Sequence, residues 1–188
     1  MNLVVEQQEW TNERDVLTAD DRTLLVLERG HRDGHPVLVH NGTPNSRLMF
    51  DRDVARARDM EIRLISYDRP GYGGSSQQPG RTVGDCAEDV RAIAAALGIE
   101  RLAVWGISGG GPHALACAAL LGDLVVAVGV LASIAPWDAQ GLDYFKGMGQ
   151  LNVDEILLSV RDPAAARQTR ETLRQEMLAT EADGLQDF

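Results

Sequence analysis

A serine flanked by glycines constrains this chain more than any other feature of its sequence. Gly106-Ile107-Ser108-Gly109-Gly110 follows a short apolar run and precedes an alanine-rich stretch, which is the strand-to-helix context that the G-x-S-x-G motif requires. At such a sharp turn the serine backbone is strained, and the two outer glycines leave room for the neighbouring strand and helix. The pattern therefore predicts that the Ser108 hydroxyl is lifted above the edge of a sheet as a nucleophile.

The same turn is also compatible with plain close packing or with phosphate binding. Phosphate binding is disfavoured because the stretch has no lysine, lacks the G-x-x-x-x-G-K-[ST] spacing, and carries Ser108 at the second glycine position of G-x-G-x-x-G. The nucleophile interpretation also gives the first amides of the following helix a role. Gly109 N–H would face a developing negative charge, which the helix dipole stabilises.

Apolar runs that alternate with helical patterns predict the fold class. Two strand-like runs around an Ala-Asp-Asp turn predict a β-hairpin at 14–29. Continuous apolar runs predict strands buried on both faces of a parallel sheet, at 36–40, 62–66, 102–105 and 124–132. Helices are predicted at 48–60, at 83–97 with Thr82 and Asp85 as its cap and Gly98 as its stop, and at 112–121, buried on most sides. We expect an α/β fold with a doubly wound, mostly parallel sheet and an N-terminal β-hairpin.

The sequence after Pro136 contains no strand-like run. It predicts a loop followed by two helices, the second of which begins at Asp162-Pro163. We therefore divide the chain into a sheet-containing part, 1–136, and a helical segment, 137–188. Four apolar side chains in the loop of this segment would either line an acyl pocket or pack against one another: Trp137, Tyr144, Phe145 and Met148.

Composition excludes several partner classes. The chain has 18 basic and 28 acidic residues, a net charge of -10, so we expect no nucleic acid and no membrane surface as partner. Cys86 and Cys117 lack the spacing of a metal or redox motif and are interpreted as small buried hydrophobes. We predict no metal and no cofactor. The first ten residues do not resemble a signal peptide, and the apolar run 124–131 is too short to span a bilayer, so a cytoplasmic protein is expected.

A second loop is predicted at the same edge of the sheet as the serine. The stretch 40–46, "HNGTPNS", follows the strand 36–40, and parallel strands place their carboxyl ends at one edge, where α/β proteins bind ligands. A tight turn at Gly42 would aim the Thr43 amide at this edge. Thr43 N–H and Gly109 N–H would then form a two-donor oxyanion hole. Taken alone, the stretch is equally compatible with a plain turn before a helix.

Three stretches together resemble the α/β-hydrolase superfamily, in the branch of proline iminopeptidases and epoxide hydrolases: "HNGTPNS", "YDRPGYGGSS" at 67–76, and "GISGG". The resemblance covers about 14–136, and the helical segment resembles the family's cap. It implies that Ser108 is the nucleophile of a serine hydrolase, that Thr43 and Gly109 supply oxyanion amides, that Gly42, Gly106 and Gly110 support these loops, and that Asp68 organises its loop outside the catalytic set. Two positions depart from the pattern. Asn41 stands where the family has histidine, and Asn45 where it has glycine.

The resemblance also implies a general base that the chain does not carry in the expected order of Ser, then Asp or Glu, then His. The four histidines are His31, His35, His40 and His113, and none follows His113. We therefore expect the C-terminal strands of the fold to be missing. Asp138 is a candidate acid, although it is more simply explained, like Asp143, as a solvated carboxylate. His40 and His113 are better explained as buried or capping histidines than as substitute bases.

Two hypotheses of different class follow. The first is the N-terminal portion of a serine hydrolase that acts on an ester, amide or similar small molecule, with activity impaired by the absent histidine. The second is a non-catalytic binding or scaffold module, a hydrolase-like half-domain. In that case the uncovered edge of the strand at 124–131 would pair with a second copy or with a complementing chain.

Overall fold

A computed structural model describes residues 10–179. The chain is divided into two compact units, Met1–Ala135 and Pro136–Phe188. Residues 1–9 and 180–188, the outer ends of the two predicted segments, lie outside the described residues. The first unit is built on six strands: β1 (Thr11–Leu17), β2 (Thr23–Gly30), β3 (His35–His40), β4 (Ile62–Tyr67), β5 (Leu102–Ile107) and β6 (Val125–Leu131). Its helices are α1 (Asp51–Asp59), α2 (Cys86–Leu97) and α3 (Gly111–Leu120).

The strands form one mixed sheet in the order β1-β2-β4-β3-β5-β6. The β1–β2 hairpin and the β2–β4 pair are antiparallel, whereas β4, β3, β5 and β6 run parallel to one another. The predicted α/β class, with its mostly parallel sheet and N-terminal β-hairpin, is therefore confirmed. Because β3 and β5 are neighbours in register, with His40 opposite Gly106, the two predicted loops leave the sheet side by side.

The core lies where the central strands meet α2 and α3. Leu38, Ile65 and Val104 are almost fully buried along β3, β4 and β5, and Val90 and Ile93 of α2 belong to the same apolar cluster. Burial of these side chains supplies the main driving force for this layer arrangement, at roughly 1.5–3 kcal/mol per large aliphatic side chain.

The ends of α2 follow the sequence signals. The Asp85 carboxylate accepts hydrogen bonds from the backbone N–H and the hydroxyl of Thr82, so the capping box forms around the one-turn 3₁₀ helix at Val83–Asp85 that leads into α2. Gly98 ends the helix in the left-handed conformation, with φ of 65°, which glycine adopts without steric cost.

Two burial predictions are wrong. The helix α3 is not buried on most sides, since Leu115 and Leu120 are 51% and 57% exposed. The strand β6 is not buried on both faces either, and Val126 and Leu131 are 51% and 52% exposed. The cause is position in the sheet. Within residues 10–179, β6 has a hydrogen-bonded neighbour on one side only, β5, and α3 lies at this open end of the sheet.

The second unit contains α4 (Gln150–Arg161) and α5 (Pro163–Ala179). Asp162 caps α5 as predicted, because its Oδ1 accepts hydrogen bonds from the backbone N–H groups of Ala164 and Ala165 at 3.1 and 3.0 Å. In the preceding loop, the rings of Trp137, Tyr144 and Phe145 contact one another with centroids 5.0–5.5 Å apart, so these rings pack mutually. Across residues 10–179, no helix combines the length and the apolar character needed to cross a bilayer.

Candidate active site

Ser108 occupies a strained and exposed turn between β5 and α3. Ile107 is extended, whereas Ser108 has φ of 50°, a left-handed conformation that is costly for any residue with a Cβ. The chain then forms the 3₁₀ turn Ser108–Gly110 and enters α3. Ser108 is an exposed residue, so the strained turn holds it accessible to solvent at the carboxyl edge of the sheet.

The outer glycines of the motif are required by close backbone contacts. A Cβ at position 106 would lie 2.5 Å from the Gly110 carbonyl oxygen and 2.8 Å from Ala114 Cβ. A Cβ at position 110 would overlap the carbonyl oxygen of His40, the last residue of β3. The elbow therefore packs directly against the start of the second predicted loop.

The structure brings that loop beside the nucleophile. Gly42 is buried, and a Cβ there would lie 3.4 Å from Ser108 Cβ and 3.9 Å from Ser108 Oγ. On the other side, a Cβ built on Gly109 would lie 3.2 Å from the Thr43 backbone nitrogen. The loop that carries Gly42 and Thr43 therefore packs against Ser108 and Gly109.

Asp68, which the resemblance places outside the catalytic set, hydrogen-bonds to the loops after β3 and β4. Its carboxylate is fully buried and accepts hydrogen bonds from the backbone N–H of Arg47 at 2.8 Å and of Gly74 at 2.9 Å. The Arg47 guanidinium completes the set with a 2.9 Å ion pair. Asp68 therefore ties the loop after β4 to the loop after β3.

Sequence reasoning missed Arg69, which is 7% exposed and holds the loop after β3. Its Nη1 donates to the Asn41 carbonyl oxygen, and its Nη2 lies 3.3 Å from the Gly42 carbonyl oxygen and 3.4 Å from Thr43 Oγ1. Its guanidinium also lies over the Tyr72 ring, 5.3 Å from the centroid. The sequence feature that could have identified it is an arginine directly after Asp68, within the stretch 67–76 that resembles the family.

The Asn41 side chain cross-links the same loop by hydrogen bonds. Its side-chain amide donates to the Ser46 carbonyl oxygen at 2.7 Å and to Ser66 Oγ, on β4, at 3.2 Å. Asn41 therefore replaces the histidine of the family pattern with a side chain that bridges the two ends of the loop. The loop keeps its position beside Ser108 despite this departure.

Within residues 10–179, which include all four histidines, no histidine forms a hydrogen bond with Ser108 Oγ. His40 is 1% exposed with Nε2 3.4 Å from Cys117 Sγ, and burial lowers its pKa to about 3, so it is neutral. His113 Nδ1 lies 3.0 Å from the Gly109 carbonyl oxygen, and burial also lowers its pKa. His31 and His35 lie before or at the start of β3, the end of the strand opposite to His40.

Asp138, the candidate acid, is an exposed residue of the second unit. It lies in the turn that follows Pro136, where the backbone N–H of Ala139 donates to the Pro136 carbonyl oxygen. Its assignment as an acid stays a prediction.

Comparison with known proteins decides the family. The family model described as alpha/beta hydrolase fold matches residues 35–178. The chain belongs to the α/β-hydrolase family. The match begins at β3 and extends into α5, so it includes the elbow and all three loops.

Individual known proteins are similar to part of the chain. A non-heme chloroperoxidase of Streptomyces lividans is 33% identical over 122 residues, 64% of this chain and 44% of that protein. A proline iminopeptidase of Xylella fastidiosa is 32% identical over 111 residues, 56% of this chain and 35% of that protein. The structure of an epoxide hydrolase from an endophytic Streptomyces matches with 27% identity and a TM-score of 0.55, over 64% of this chain and 36% of that one. The chain therefore spans less than half the length of these relatives.

Proposed function

We propose that this chain carries the nucleophile half of a serine hydrolase that acts on an ester, amide or similar small molecule. One observation carries the proposal. Ser108 is exposed and held at φ of 50°, and the Thr43 backbone nitrogen lies 3.2 Å from the position of a Cβ built on the next residue, Gly109. The similar proteins support a hydrolase in general, since they include an esterase/perhydrolase and a proline iminopeptidase. Their names differ too much to favour one substrate class. The cytoplasmic location expected from the sequence belongs to the same proposal.

In this mechanism Ser108 Oγ forms a bond to the substrate carbonyl carbon. The carbonyl oxygen becomes an oxyanion, and the Thr43 and Gly109 amides donate hydrogen bonds to it. The leaving alcohol or amine departs when the tetrahedral intermediate collapses, and water then releases the acyl group. No histidine of residues 10–179 hydrogen-bonds to Ser108 Oγ, so the proton of Ser108 passes to a base supplied from elsewhere, which returns it to the leaving alcohol or amine.

A fluorophosphonate probe tests the nucleophile assignment directly, since this strong electrophile reacts covalently with a serine hydroxyl held beside oxyanion-stabilising donors. We expect wild type to be labelled, Ser108→Ala to be unlabelled, and Ser159→Ala, a control on α4, to be labelled like wild type. Equal labelling of wild type and Ser108→Ala would reject Ser108. Parallel assays with small esters and amino-acid amides would then separate the substrate classes.

The open edge of β6 favours a second candidate, a non-catalytic half-domain that pairs with another chain. The strand is wholly apolar in side chains and four of its large residues are 41–52% exposed: Val126, Val128, Val130 and Leu131. An exposed apolar edge strand is a template for pairing. Light scattering of wild type and Val128→Lys tests this, because a charge on the edge should dissociate the assembly. An unlabelled, inactive monomer would argue against both candidates.

A further inference from the structure

Three potential metal ligands from distant parts of the sequence meet behind the elbow. His40 ends β3, Cys86 begins α2 and Cys117 lies on α3. All three are 0–1% exposed, and their ligand atoms lie within 4.8 Å of one another. Cys86 Sγ is 3.6 Å from Cys117 Sγ, and Cys117 Sγ is 3.4 Å from His40 Nε2. The proposed hydrolytic site uses none of these atoms.

Two of the three spacings, Cys86 Sγ to Cys117 Sγ and Cys117 Sγ to His40 Nε2, match a tetrahedral zinc site. With Zn–S bonds of about 2.3 Å and Zn–N bonds of about 2.0 Å, tetrahedral angles put two sulfurs about 3.8 Å apart and a sulfur and a nitrogen about 3.5 Å apart. The observed distances are within about 0.2 Å of both values. A bound ion would therefore need little movement of these two pairs of ligands.

A fourth polar atom in the same region has no hydrogen-bond partner. Tyr67 Oη is buried and unpaired among residues 10–179, and the Tyr67 ring packs edge-on against His40 with centroids 5.8 Å apart. Buried hydroxyls are normally hydrogen-bonded, so an unpaired one calls for an explanation. A bound cation beside the two thiols would supply one, with the phenol oxygen as a candidate fourth donor.

We propose that Cys86, Cys117 and His40 bind a structural Zn²⁺ ion that fixes α2 and α3 to the carboxyl end of β3. Sulfur and imidazole ligands favour Zn²⁺ over Mg²⁺ and Ca²⁺. Binding replaces two S–H bonds with two Zn–S bonds and releases two protons to solvent. Two thiolates then cancel the charge of the ion, so the buried site carries no net charge. The ion enters as the chain folds, because the closed site has no exposed ligand.

The test uses the full chain, purified under reducing conditions without a chelator. Metal analysis should give about one zinc per chain, and refolding with Co²⁺ in place of Zn²⁺ should give a thiolate-to-cobalt charge-transfer absorption band. X-ray absorption at the zinc edge should report sulfur and nitrogen neighbours. Cys86→Ser and Cys117→Ser should each lose the cobalt band, whereas His35→Gln, a control at an exposed histidine, should keep it.

Wild type decides the question even if a cysteine variant fails to fold. Wild-type chain that is folded and reduced, yet holds neither zinc nor a thiolate-bound cobalt ion after refolding, overturns the proposal. The three side chains are then only a hydrogen-bonded group. A Cys86–Cys117 disulfide in zinc-free protein, found by mass spectrometry before reduction, overturns it equally. Because every readout is metal content or spectroscopy, failure of the hydrolase proposal leaves this test unaffected.

Discussion

Replacing Ser108 with glycine should stabilise the fold relative to replacing it with alanine. At φ of 50°, a residue with a Cβ pays about 1–2 kcal/mol, whereas glycine does not. Glycine also makes the unfolded chain more flexible, which offsets about 0.5–1 kcal/mol of that gain. We therefore expect Ser108→Gly to exceed Ser108→Ala in free energy of unfolding by about 0.5–1 kcal/mol, equivalent to about 1–4 °C in Tm for a chain of this size.

Urea denaturation of both variants measures this difference, and the fluorophosphonate probe should label neither, because both lack the hydroxyl. The control is an alanine-to-glycine change where the backbone is helical. Ala96 is exposed on α2, so Ala96→Gly should lower the free energy of unfolding by about 1 kcal/mol. Glycine is thus expected to be more stabilising than alanine at position 108 and less stabilising than alanine at position 96. If Ser108→Ala were as stable as Ser108→Gly, the turn would not be left-handed in solution, and the argument for a presented nucleophile would fail.

Three further predictions concern the surroundings of the elbow. Gly110→Ala should lower the free energy of unfolding by about 3 kcal/mol or prevent folding, because its Cβ would overlap the His40 carbonyl oxygen. In the control Gly122→Ala the Cβ meets open space, so the free energy of unfolding, measured by urea denaturation, should change by less than about 1 kcal/mol. Arg69→Met should slow fluorophosphonate labelling by about tenfold through misplacement of the loop after β3, and an unchanged rate would contradict the positioning role. The pKa of His113, followed by NMR of its ring protons, should lie below 6.5 because burial disfavours the charged ring; a value at or above 6.5 would show that the ring is solvated.

Much of the site could be predicted because its signals are local. The turn at Ser108 is encoded within five residues, and the Thr82–Asp85 cap and the Gly98 stop lie within one helix. Order along the chain was enough to place the second loop beside the elbow, because neighbouring parallel strands end at one edge. Each of these inferences depends on backbone geometry that a short stretch of sequence sets by itself.

The features that were missed depend on contacts between distant residues. Arg69 contacts carbonyl groups 27 and 28 positions away, and Cys86 meets Cys117 across 31 positions, so no periodicity reports either contact. The burial errors at α3 and β6 have a related cause. An apolar pattern shows which element forms, and it does not show whether another element covers it.

The proposed nucleophile and the proposed amide donors are positioned largely by close contacts of the main chain. His40 pairs with Gly106 in the sheet, and the absence of a Cβ at Gly110 lets the elbow touch the His40 carbonyl group. Arg69 then fixes the carbonyl groups of Asn41 and Gly42 from the opposite side. Because these contacts need neither an acid nor a base, the oxyanion geometry can persist where proton transfer is absent. We therefore expect the chain alone to be labelled at Ser108 by the fluorophosphonate, which is a strong electrophile, while it turns over esters poorly, because turnover depends on a base from elsewhere.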